Sequence, residues 1–392
     1  MPRVNNFTRV NVLVLLGHGF GANTWERKHA LGLIPGLNDR LAYGYYRAAG
    51  QGWSIEYSVD HHEGGLIRFG RVMLRKLLGF DLIHIFRNRR RMLQADIVWT
   101  HTEFEHLGAL TILRLLGRNK RPKLIANCVW LFDNWPRLSR PKRLLYQQLL
   151  RDANMITTFS PENIKVARKL LPSVRCECVL WGTSTQEMAP PRRNSVGHPI
   201  RIVSLGNDMH RDWETLLRAF ADIDRYQVRI ASFRINRKLA KGLHNVEIVP
   251  ATNADEVRAL YKWSDFVVVP LRPNLHASGI TVVFEAIISG VPSICTDTGG
   301  LRAYFSDAEV AYVPPFGPDT MRATADELAQ DDDRRIGMLV KAQERLRTAD
   351  LTSQGFAMRN RRLSEHLLES DYTNAYDRHS VDRSKERLLA GR

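Results

Sequence analysis

Residues His276–Gly300 read HASGITVVFEAIISGVPSICTDTGG, and this stretch decides the fold. Ser278-Gly279-Ile280-Thr281 opens a helix, and Gly290-Val291-Pro292 ends it. An apolar strand, Pro292–Thr296, follows at once, giving half of an α/β unit. The start of a helix carries unpaired N–H groups and the positive end of a dipole, which suits a diphosphate. Gly279 lets a ligand approach the backbone there. Glu285 lies four residues after Thr281, about one turn into the helix, where it could accept hydrogen bonds from ribose hydroxyls. The plain alternative is a capped helix with one surface glutamate.

Working outward, apolar runs alternate with helical patterns on both sides. Strands are expected at Val10–Leu16, Ser54–Tyr57, Ile97–Thr100, Leu124–Cys128, Met155–Phe159 and Cys176–Leu180. Helical patterns fall at Leu107–Leu116 and Arg143–Asp152. Thr183–Pro199 is polar and proline-rich, without apolar period, and reads as a linker. Alternation resumes at Ile200–Leu205, Val228–Ser232, Val246–Val249 and Phe266–Leu271. The pattern predicts two α/β halves, each a parallel sheet covered by helices. We place the first domain at residues 1–190, the second at 191–370, and a polar tail at 371–392.

Charge divides the same halves unequally. The 392 residues hold 57 Lys and Arg against 41 Asp and Glu, a net charge of +16. Residues 1–190 hold 28 basic and 14 acidic side chains; the remainder holds 29 and 27. A basic first half facing an anionic surface is the expectation. Arg68, Arg71 and Arg75 recur at i, i+3 and i+7 among abundant apolar residues, and Arg87, Arg89, Arg90 and Arg91 follow as a cluster. A basic amphipathic segment of this kind can lie on an anionic membrane. Its alternatives are core-packed helices with solvated arginines, or a nucleic-acid surface. The apolar face is too rich for the last, and no nucleic-acid motif accompanies it.

No stretch is apolar and long enough to span a bilayer. The run Val12–Leu16 is too short for a secretory signal core and leads into a glycine turn. Cys128, Cys176, Cys178 and Cys295 lack metal-site spacing and read as free thiols of a reducing compartment. Two D-x-D strings, Asp222–Asp224 and Asp331–Asp333, do not follow strands as a metal-holding loop should.

Ligands of open α/β sheets gather at the carboxyl ends of strands. His101, following Ile97–Thr100, is well placed there, as are Asp133 and Trp135 after the next strand. Gly17-His18-Gly19-Phe20-Gly21 follows the first strand, but Ala22 and Asn23 break the G-x-G-x-x-G spacing of a dinucleotide site. Each of these also reads as an ordinary structural turn.

The His276–Gly300 segment resembles the donor site of GT-B glycosyltransferases, especially retaining family 4 members (glycosyl transferases group 1). The match runs through Gly279, Glu285, Ala286, Gly290, Pro292, Thr296, Gly299 and Gly300. A second similarity lies in Ser204-Leu205-Gly206-Asn207 with Arg211-Asp212-Trp213, where the family places a glycine after a strand and a basic residue on the diphosphate. One departure is local: the family has a glutamate eight positions before the second one, and here that position is Ala277.

The resemblance implies two Rossmann-like domains facing a cleft, and sugar transfer from a nucleotide-sugar to a hydroxyl acceptor with retention of configuration. It implies no cofactor beyond that co-substrate and no obligatory metal. Gly206, Arg211, His276, Ser278, Gly279, Ile280, Thr281 and Glu285 would form the donor site. His101 would act at the reacting sugar, and Gly19, Gly21, Asp133 and Trp135 would meet the acceptor. With the basic first half, a lipid-linked or saccharide acceptor at the cytoplasmic face of an anionic membrane is the expected setting. The alternatives are a nucleotide-sugar epimerase of the same fold, a non-catalytic sugar-nucleotide binder, and a nucleic-acid-binding protein.

Overall fold

The computed structural model describes residues 9–117, 121–184, 187–192 and 196–369. The expected tail at 371–392 lies outside the described residues.

The first sheet contains β1 (Val10–Leu15), β2 (Trp53–Tyr57), β3 (Ile97–Thr100), β4 (Lys123–Cys128), β5 (Met155–Thr158) and β6 (Cys176–Cys178). Their order is β2-β1-β3-β4-β5-β6, with every pair parallel. The second sheet contains β7 (Ile200–Leu205), β8 (Tyr226–Ala231), β9 (Val246–Ile248), β10 (Phe266–Val269), β11 (Ser293–Thr296) and β12 (Ala311–Val313). Its order is β12-β11-β10-β7-β8-β9, again all parallel.

Parallel strands are buried on both faces, so they read as continuous apolar runs. β3, β5, β10 and β11 are buried at every position. β12 is the strand the sequence pattern did not mark; three residues are too few to show a period. In the second sheet the strand order reverses between β7 and β10, which opens a crevice at their carboxyl ends. Gly206 follows β7 there, and Arg211 forms an isolated bridge with Leu271 beyond β10.

After the helix Asp332–Thr348 the chain crosses back to the first domain. Thr183 and Thr352 form a bridge, and Trp99 donates its indole N–H to the Ser364 hydroxyl at 2.8 Å. Phe356 packs into the same apolar cluster as Val12, Tyr45 and Trp99. The terminal segment is therefore a strap over the first sheet that ties the two halves. Among the described residues, no helix is long and apolar enough to cross a membrane.

Candidate active site

Arg211 is the most informative side chain. Asp212 caps the following helix, Trp213–Phe220, accepting from the Thr215 amide and hydroxyl, and so fixes the turn that carries Arg211. The guanidinium is buried, and its Nε and Nη1 have no hydrogen-bond partner. Burial lowers its pKa from the ordinary arginine value. A buried unpaired cation is costly and calls for an anion.

Two glycines make room for it. A Cβ on Gly206 would collide with the guanidinium, and one on Gly279 would lie 2.9 Å from Nη1. Both glycines have positive φ, 133° and 82°. Gly279 is also the residue before the helix Ile280–Ile288, which has no side-chain cap. The Ser278 hydroxyl beside it is buried and unpartnered. Orphaned donors, a helix start and a cation thus converge at the crevice of the second sheet, an arrangement chemically able to cradle a diphosphate.

A cavity of about 450 Å³ opens beside the cradle, lined among others by Gly206, Phe233, Thr252, Thr281 and Glu285. Its size suits a nucleoside. Glu285 is buried there and its pKa is raised by desolvation. One carboxylate oxygen accepts from the Tyr261 hydroxyl at 2.7 Å, the other from the Leu37 amide of the first domain at 2.9 Å. Thr281 is exposed, and Ile280 is buried in the second domain's core.

His276 lies elsewhere than in the diphosphate cradle. Its Nδ1 is 3.0 Å from Asp133 of the first domain, and its Nε2 is 3.1 Å from Asp208 of the second. Burial pulls its pKa down, but the two carboxylates outweigh this and hold it up at about 9. Asp133 also accepts from the Leu275 amide. Asp208 further accepts from the Trp130 indole and from the His210 amide and ring. Against burial, these bonds hold Asp208 well below the usual carboxylate range. Ala277, in place of the family's glutamate, is packed in the core.

His101 does sit at the end of β3, under an aromatic cover. The Tyr43 ring stacks on it with 3.5 Å between centroids and 9° between planes. Tyr43 holds φ 64°, and Phe20 stacks on its other side. The Tyr45 hydroxyl meets His101 Nδ1 at 3.0 Å. Burial pushes the His101 pKa down to about 3, so the ring is neutral at pH 7.

The glycine turn after β1 is saturated internally. Gly19 and Gly21 donate their amides to the two oxygens of Asp60, at 3.0 and 3.2 Å. Trp135 packs against the first domain's core.

The arginine face divides. Arg71 is buried and pairs with Glu63 at 2.9 Å and Asp81 at 2.7 Å, so it holds the helix Gly65–Leu78 inward and is not a membrane contact. Arg68, Arg75, Arg90 and Arg91 are exposed; Arg91 pairs with Glu56 and Arg87 with Glu63. Arg89 lies over the Phe86 ring. The same helix leaves Leu66, Phe69, Met73 and Leu77 exposed, Leu66 at 90%. The core-packed alternative therefore holds for the Arg71 side and for the later part of the segment, where Phe80, Ile85 and Met92 are buried in the first domain's core, and not for the exposed row.

Asp208, His210, Tyr261 and Leu37 were not singled out by sequence. His210 and Asp208 lie within the segment that carries Arg211, which was the available signal; nothing in sequence pointed to Leu37 or Tyr261.

Residues 199–331 match the family described as Glycosyl transferases group 1. The match falls on the second domain, and the chain as a whole has the GT-B fold. Sucrose-phosphate synthase from Thermosynechococcus elongatus is similar in structure, with TM-score 0.69 and 14% identity over 92% of this chain and 100% of that one. Anabaena HepE, solved in complex with UDP-glucose, gives 0.62 and 12% over 91% and 100%. An α,α-trehalose-phosphate synthase (UDP-forming) from Burkholderia vietnamiensis gives 0.58 and 11% over 93% and 99%. No curated protein matches by sequence.

Proposed function

We propose that this chain transfers a sugar from a nucleotide-sugar to a hydroxyl acceptor, with retention of configuration. The observation that carries the reading is the buried Arg211 guanidinium between Gly206 and Gly279, with Nε and Nη1 unpartnered. That cation and the helix start at Ile280 would hold the donor diphosphate and stabilise charge on the leaving group. Glu285 would hold the ribose hydroxyls, and the 450 Å³ cavity the base. The neutral His101 would orient a hydroxyl by hydrogen bonding once Tyr43 turns aside. Asp133 and Trp135 would lie on the acceptor side of the cleft.

The diphosphate would need no metal. Asp222 and Asp224 both bond His244 on the surface, and Asp331 caps a helix, which supports that reading.

The acceptor would be lipid-linked or a growing saccharide, reached at the cytoplasmic face of an anionic membrane. The exposed apolar row Leu66, Phe69, Met73 and Leu77, interleaved with exposed Arg68 and Arg75 on the same helix, supports this setting. Insertion of that row would add burial to charge attraction.

The test is a thermal-shift and turnover panel of UDP-, GDP- and other nucleotide-sugars, with and without anionic lipid extract. One donor should shift the unfolding transition selectively and release its nucleoside diphosphate when acceptor lipid is present. Absence of both shift and release across the panel would refute the reading. Conversion of the donor sugar without an acceptor would instead identify an epimerase.

A further inference from the structure

Two histidines and two aspartates meet where the domains touch, and their hydrogen bonds leave a pattern. Asp208 takes His276 Nε2 on Oδ2 at 3.1 Å and His210 Nδ1 on Oδ1 at 3.2 Å. The Trp130 indole and the His210 amide complete its acceptors. One saturated carboxylate thus fixes both imidazoles, and it leaves His276 Nδ1 and His210 Nε2 turned toward Asp133. His276 Nδ1 is 3.0 Å from Asp133 Oδ2, whereas His210 Nε2 is 4.0 Å from Asp133 Oδ1. The latter is too long for a hydrogen bond.

Histidines that bind metals characteristically give their other ring nitrogen to a carboxylate, which sets tautomer and orientation. Here a single aspartate does so for two rings at once. Around a tetrahedral ion with bonds of about 2.0–2.2 Å, ligand atoms stand about 3.3–3.6 Å apart. The 3.0 Å from His276 Nδ1 to Oδ2 and the 4.0 Å from His210 Nε2 to Oδ1 lie on either side of that value, one imidazole facing each oxygen of Asp133. All three ligand atoms lie within 4.8 Å of one another. The side chains of Asp133, His276 and His210 are 3%, 5% and 12% exposed, so an ion would be held away from bulk water. Among the described residues, no Lys or Arg forms an ion pair with either aspartate, and buried Glu103 adds a third carboxyl nearby.

We propose that Asp133, His210 and His276 bind a divalent transition-metal ion of the zinc class, with Asp208 as the positioning carboxylate for both histidines. Two imidazoles and a carboxylate are the donor set such an ion prefers over Mg²⁺ or Ca²⁺. Asp133 comes from the first domain and both histidines from the second, so the ion is a clamp across the cleft. A fourth position remains for water or a hydroxyl. The site adjoins the Arg211 cradle, since Asp208 and His210 share its turn, but its three ligands are not the cradle's groups and it does not depend on the sugar-transfer reading.

The test uses the full chain, with any affinity tag removed, stripped by chelator and dialysed against Zn²⁺ or Co²⁺ alone. Elemental analysis after gel filtration should give one ion per chain, and Co²⁺ should give visible bands of a low-symmetry site. His210→Gln and Asp133→Asn should each weaken Zn²⁺ binding at least tenfold, and Asp208→Asn by about 10–100-fold. His244→Gln should change nothing; it removes the exposed histidine bonded to Asp222 and Asp224 and controls for surface binding. His210, the most exposed ligand, is the variant most certain to keep its fold, checked by circular dichroism. Less than stoichiometric binding by the wild-type chain would overturn the proposal. So would binding that survives His210→Gln and His276→Gln together, or that is lost with His244→Gln.

Discussion

Leu37 donates its backbone N–H across the domain boundary to Glu285, at 2.9 Å. The carboxylate that would hold a ribose is therefore already engaged by a loop of the other domain. Gly36 makes the approach possible: its φ is +88°, and a Cβ there would run into Glu285 Oε1. Gly36→Ala should push this loop off the carboxylate, with strain of about 1–2 kcal/mol in the left-handed region. Since the loop and the ribose compete for one acceptor, nucleotide affinity should rise by a few-fold while thermal stability falls. Isothermal titration with the preferred nucleotide decides: weaker binding in Gly36→Ala would show that the loop supports the donor instead of displacing it.

Arg211 sets function against stability. Its guanidinium is desolvated and two of its nitrogens lack partners, so the free protein bears the full penalty of the charge. Arg211→Met keeps much of the volume and removes the charge. The free chain should become more stable by about 1–3 kcal/mol in chemical denaturation. Binding of a nucleoside diphosphate should fall by about 10–100-fold, the worth of a charge-assisted contact of roughly 1.5–3 kcal/mol. Binding of the bare nucleoside should not change. A variant that is less stable and binds the diphosphate normally would remove Arg211 from the donor site.

These residues were legible in sequence because their signals are local. Glu285 stands one turn into a helix, so spacing marked it, and Arg211 was marked by the family resemblance of the segment Ser204–Trp213. The strands were legible because parallel pairing buries both faces, and the apolar runs mark them to within a residue or two. His276 was marked for the donor site, yet its partners Asp133 and Asp208 are 143 and 68 residues away. No periodicity can report such contacts. The same limit applies to Arg71: its helical spacing groups it with Arg68 and Arg75, but Glu63 and Asp81 turn it inward.

Glu105 gives a pH dependence. It closes the capping box at Thr102, accepting from that residue's amide and hydroxyl, and it lies under the glycine turn after β1. Burial raises its pKa to about 8, against those bonds, which lower it. A carboxyl raised on folding stabilises the native state while protonated. Its contribution is full below its unfolded value of about 4.3 and is lost as pH rises through about 8. Stability of the wild-type chain should therefore decline from about pH 4.5 to about pH 8 through this group and level off above. Glu105→Gln keeps an acceptor for Thr102 and should flatten that slope. Urea titrations across the range report it, and an unchanged slope in the variant would assign the dependence to other groups.

The helix Gly65–Leu78 separates anchoring from folding on one element. Leu66, Phe69 and Leu77 are 90%, 66% and 70% exposed, so they contribute little to the fold and much to any apolar surface they enter. Burying a large apolar side chain is worth about 1.5–3 kcal/mol. Replacing all three by Ser should thus reduce binding to anionic vesicles by at least about 100-fold, with the unfolding transition unchanged or raised. Arg90→Glu should weaken the same binding more modestly, and only at low salt. Arg71→Ala should act in the opposite sense. It strands the buried carboxylate of Asp81 and leaves Glu63 to Arg87 alone, and should destabilise the domain by about 3 kcal/mol. Vesicle co-sedimentation beside thermal unfolding separates the two effects. If the triple Ser variant sediments with vesicles as the wild type does, this helix is not the membrane contact, and its exposed row needs another partner.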